Sequence, residues 1–74
     1  MTATAETWQH PDHLRPGDVV LTCTAGWGRV VGPPLVTHSP GRSSMVVVPV
    51  DIGLGAPRRL LYPAATQLRV RRAP

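Results

Sequence analysis

Apolar and polar residues alternate along the chain with a period of two. In "VVLTCT", residues 19–24, Val19, Leu21 and Cys23 fall on one side of an extended backbone and Val20, Thr22 and Thr24 on the other. That period marks a half-buried strand, and the more apolar set, Val19, Leu21 and Cys23, is expected to face inward. A Gly26-Trp27-Gly28 tip leads into "RVV", a second strand ended by Gly32-Pro33-Pro34, because proline supplies no ladder N–H. Residues 35–44 read as a long loop with a short extended piece. "MVVVPV", residues 45–50, is the most strand-like stretch, with Pro49 signalling an edge or bulge, and "DIGLGAP" turns the chain into "RRLLY". One helical turn over "YPAAT" precedes "QLRVRR", in which Leu68 and Val70 point inward and Gln67, Arg69 and Arg71 outward.

These elements predict an all-β domain over residues 15–74, preceded by a flexible, polar arm over residues 1–14 that Pro11 interrupts. The inward phases give an expected core of Val19, Leu21, Cys23, Val30, Val46, Val48, Leu68 and Val70. In "LRPGDVV", Pro16-Gly17 makes a turn and Asp18 accepts bonds from its amides before the first strand extends. Together with the turn spacing and "YPAATQLRV", this opening resembles an SH3-like small β-barrel of the KOW or Tudor sort. The resemblance implies a five-stranded, partly open barrel with one short helical turn before the last strand. Barrels of this kind serve ribosomal, transcription and chromatin factors, peptide-binding modules and toxin endoribonucleases, so the resemblance leaves function to be argued from the residues.

Charge changes the picture. All basic residues are arginine, and the net charge is +4. Glu6, Asp12 and Asp18 face only Arg15 in the first part of the chain, whereas Arg58, Arg59, Arg69, Arg71 and Arg72 follow the last acid, Asp51. The positive half attracts nucleic acid, acidic headgroups or an acidic protein surface. Guanidinium groups bind phosphate in a bidentate manner and stack on bases. The candidate RNA- or DNA-binding set is therefore Arg58, Arg59, Arg69, Arg71 and Arg72, with Arg29 and Arg42 from the preceding strand and loop and Trp27 as a stacking face. Two roles are open to Trp27: an exposed contact residue at the hairpin tip, or a lid over one end of the barrel.

A second reading competes. Both faces of "MVVVPV" are apolar, so something has to cover Met45, Val47 and Pro49. The candidates are the N-terminal arm folding back with Trp8, a second copy of the chain, or another protein.

Dedicated chemistry is harder to find. His10, Asp12 and His13, with His38 or Cys23, lack the paired spacing of a zinc site, and no cofactor is implied. Cys23, placed inward, is expected to be a buried and unreactive thiol. The enzymatic alternative is a toxin-like endoribonuclease using Arg42 with Ser43 or Ser44, although a proline usually follows that arginine in those toxins. With no apolar run long enough to span a bilayer and a single cysteine, a soluble, cytoplasmic, non-catalytic binding module is expected.

Overall fold

The computed structural model describes residues 5–23, 26–38, 40–41 and 43–72. Arg42 lies outside them. Among the described residues the chain forms seven antiparallel strands: β1 (Ala5–Gln9), β2 (Val19–Thr22), β3 (Gly26–Val30), β4 (Leu35–Thr37), β5 (Met45–Asp51), β6 (Arg58–Pro63) and β7 (Leu68–Arg72). They make one curled sheet in the order β1-β7-β2-β3-β5-β4, with β6 on the other edge of β5, and the whole forms a half-barrel. No helix among the described residues is long and apolar enough to cross a membrane.

The five expected strands are β2, β3, β5, β6 and β7, and two more join them. β4 takes up the length of β5 that β3 leaves unpaired, since β3 meets Val50 and Asp51 while β4 meets Met45, Val46 and Val47. β1 comes from the segment expected to be a flexible arm. Residues 5–9 pair along β7, the 3-10 turn Pro11–His13 follows, and Pro11 and Leu14 are buried. The His10 ring donates from Nδ1 to the Thr66 carbonyl at 3.1 Å, a second tie between this segment and the barrel. The helical turn expected over "YPAAT" is a single turn, closed by the Thr66 amide on the Pro63 carbonyl at 3.0 Å.

Six valines, Val20, Val30, Val46, Val48, Val50 and Val70, are fully buried, and Leu14 and Leu68 complete the core. Each buried valine contributes about 1.5–3 kcal/mol, against about 0–1 kcal/mol for an exposed ion pair, so this core holds the fold. The expected phase of β2 is reversed. Val20 and Thr22 are buried while Leu21 and Cys23 are exposed and Val19 is half-buried. Register explains it: Val20 lies between Val70 of β7 and Gly28 of β3, which brings it into line with the core. Asp18 and Thr22 tolerate the same side because each finds partners there. The Thr22 hydroxyl donates to the Gly26 carbonyl at 2.6 Å.

The two glycines flanking Trp27 do different work. Gly26 has φ of +71°, a turn conformation that L side chains adopt rarely. Gly28 is needed for closeness instead, because a Cβ there would stand 2.5 Å from Val50 Cγ1. β3 can cross β5 only with no side chain at that point.

Candidate nucleic-acid interface

The outward positions of β1, β7, β2 and β3 gather both tryptophans and four charged residues, Glu6, Arg29, Arg69 and Arg71. One cross-strand row runs Glu6, Arg71, Val19, Arg29, Asp51 over five strands. Beside it, Trp8 stands opposite Arg69, and Leu21 opposite Trp27. Trp8 is 60% exposed and Leu21 is exposed as well. The Arg71 guanidinium lies over the Trp27 ring, 3.9 Å from its centroid. Glu6 bridges the two outward arginines of β7, contacting Arg69 closely and Arg71 at 3.8 Å. Both arginine side chains nevertheless keep nearly half of their surface in solvent.

The expected arginine cluster divides into three. Arg69, Arg71 and Arg29 share this face with Trp27. Arg58 and Arg59 lie on β6, separated from β7 by the rest of the sheet order. Arg72 is held apart from the outward arginines: by the period of two it belongs with Leu68 and Val70, on the inner side. There its Nε and terminal nitrogen donate to the two Asp18 carboxylate oxygens at 3.0 and 2.8 Å. The same group reaches the His13 carbonyl at 3.2 Å. Asp18 is almost wholly buried and also accepts the Arg15 amide at 2.9 Å. Burial acts to raise the Asp18 pKa, but the Arg72 bond, the Arg15 amide and the charges of Arg72 and Arg15 outweigh it, and the net shift is downward. Arg72 is in turn held protonated, chiefly by its bond to Asp18.

Trp27 occupies neither of its two expected positions. It sits within β3 rather than at the tip, half-buried, with its face covered by a guanidinium instead of by the core. Trp8, one of the candidates to cover the outer face of β5, stands on β1 beside Arg69. Its placement was missed because only the β-propensity of Thr7 and Trp8, and the match of Glu6 to an arginine-rich strand, hint at β1.

The remaining candidate chemistry is dispersed. Cys23, expected in the core, is exposed at the end of β2. His13 lies 3.8 Å from Asp12 and packs edge-on against His10, and no three potential metal ligands gather among the described residues. Ser44 and His38 share a 2.9 Å hydrogen bond through Nδ1 in an exposed loop, and Ser43 is exposed. No protein-family model, curated protein or solved structure matches this chain.

Proposed function

We propose that the chain is a non-catalytic binding module on an SH3-like small-barrel scaffold, and that it takes single-stranded nucleic acid on the outer face of β1, β7, β2 and β3. The scaffold reading draws on strand order. β2, β3, β5 and β6 form a meander and β7 returns beside β2, the order of strands in such barrels, with β1 and β4 as additions.

The observation that carries the functional reading is the placing of both tryptophans and two partly exposed arginines at neighbouring outward positions of one sheet face. Bases stack on indole and guanidinium faces while arginines meet the backbone phosphates, and neither contact reads sequence. Glu6 modulates the site: a phosphate has to compete with its carboxylate for Arg69 and Arg71. Binding is therefore weak and salt-sensitive.

The test is anisotropy of labelled oligothymidine and oligouridine as a function of salt. With Arg29, Arg69 and Arg71 each meeting a phosphate, the log-log slope is about −2, at about 0.7 per contact on a single strand. Trp8→Ala weakens binding by about 1–3 kcal/mol, the value of one stacked base. Glu6→Gln strengthens it by releasing both arginines. If neither oligonucleotide binds at low salt, and Glu6→Gln changes nothing, the proposal is wrong.

A further inference from the structure

Beyond the tryptophans and outward arginines, the outer surface of β4, β5 and β6 carries a different kind of site. A cavity of about 550 Å³ is lined there by Pro33, Leu35, Val47, Pro49, Arg59 and Leu61. The register accounts for it: Leu35, Val47 and Leu61 form one cross-strand row, and Pro49 stands opposite Arg59. Leu35 is 64% and Leu61 59% exposed, so two large aliphatic side chains face solvent across a half-buried valine. Of the residues expected to meet a partner, Val47 and Pro49 are in this groove. Met45 lies one row beyond it, between Thr37 and Pro63, and Trp8 is on β1, separated from β5 by β7, β2 and β3 in the sheet order.

The charge at the rim selects the occupant. Arg59 lines the groove and Arg58 precedes it, both exposed and without an ion pair among the described residues. The chain has four carboxylate side chains, and none of them pairs with Arg58 or Arg59 among the described residues. Glu6 holds Arg69 and Arg71, Asp18 holds Arg72, Asp12 faces His13, and Asp51 accepts the Gly53 amide at 2.9 Å. A second copy would bring another net charge of +4, with two of its four acids already holding arginines, so it complements Arg58 and Arg59 less well than an acidic chain does. Among the described residues β6 pairs with β5 alone, which leaves its far edge open to an extended chain.

We propose that this groove docks an extended segment of another protein that alternates aliphatic side chains with carboxylates. The aliphatic residues cover Leu35, Val47 and Leu61, and a carboxylate meets Arg59. None of its lining residues belongs to the nucleic-acid site, so either can fail alone.

The experiment uses the full chain and three labelled peptides, alternating leucine with glutamate, leucine with lysine, and alanine with glutamate. The leucine–glutamate peptide binds. Replacing glutamate by lysine or leucine by alanine weakens it at least about tenfold, the effect of one lost charge pair or one unburied leucine. Arg59→Glu inverts the preference between the glutamate and lysine peptides, and Leu61→Ser weakens the leucine–glutamate peptide at least about tenfold. Both side chains are exposed, and circular dichroism checks that each variant keeps its fold. Trp8→Ala leaves peptide binding unchanged. Equal binding of the alanine–glutamate peptide would reduce the effect to net charge and overturn the proposal. So would a wild-type dimer in sedimentation that Leu61→Ser disperses, which would make the occupant a second copy, or displacement of the peptide by oligothymidine.

Discussion

The Arg71 guanidinium covers the face of the Trp27 ring at 3.9 Å from its centroid, from the neighbouring outward row of the same sheet. A stacked cation on a partly exposed ring is worth about 0.5–1 kcal/mol, rising to about 2 kcal/mol as water is excluded. Trp27 is therefore shielded by a side chain that can move. In a Trp8→Phe background, Arg71→Ala is expected to red-shift Trp27 emission and to increase its quenching by acrylamide. Trp27→Ala is expected to cost about 1–2 kcal/mol, below the roughly 3–5 kcal/mol of a fully buried tryptophan. A core-sized loss, with emission indifferent to Arg71, would instead make Trp27 part of the barrel wall.

Leu14 tests whether the N-terminal segment belongs to the fold. It is 3% exposed and joins the valine core, although the sequence pattern assigns it to the arm. Leu14→Ala is expected to destabilise the protein by about 2–5 kcal/mol. For a chain of this size that lowers Tm by more than about 8 °C. A shift of a degree or two in thermal unfolding would place Leu14 outside the cooperative unit.

Much of the architecture is legible in the alternation, and where it is not, a long-range partner is the reason. Val30, Val46, Val48, Leu68 and Val70 are buried as their phases predict. For Leu68 and Val70 the choice was forced, since arginines occupy the alternate positions of β7. β2 gave the wrong phase because hydropathy compares Leu21 and Cys23 with Thr22 and finds the first pair more apolar. What it cannot register is that Thr22 finds the Gly26 carbonyl and that Asp18, on the same side, finds Arg72 from the far end of the sequence. The same long-range pairing commits Arg72 to Asp18, which its charge alone does not reveal. The outward direction of Arg69 and Arg71 was readable locally, but their bridging by Glu6 depends on β1, which a short polar segment announces only faintly.

Cys23 follows from that reversed phase. An exposed thiol at a strand end is open to reagent, whereas the core position expected from the sequence would protect it. Thiol labelling without denaturant is expected to proceed to completion at a rate close to that of the unfolded chain. Protection by a hundredfold or more, on the order of that set by about 3 kcal/mol of opening free energy, would restore the inward phase of β2.

The Asp18–Arg72 pair makes stability depend on pH in a defined direction. Asp18 is lowered in the folded state relative to the unfolded chain, so the folded protein binds fewer protons at this group. Its contribution is therefore fully present above the unfolded carboxylate value of about 4 and is lost as pH falls through the lower folded value. Chemical denaturation at a series of pH values is expected to give a flat midpoint near neutrality and a decline below about pH 4, with a shallower decline in Asp18→Asn. Arg72→Ala is the harsher change, because it leaves a nearly buried carboxylate with only the Arg15 amide. A loss of about 3 kcal/mol at neutral pH is expected, the lower end for breaking a buried pair from one side. Acid should partly relieve this variant relative to wild type, since protonating Asp18 removes the uncompensated charge. If Arg72→Ala instead loses stability in parallel with wild type at every pH, the pair is not what holds the β7 end against the Arg15–Asp18 turn.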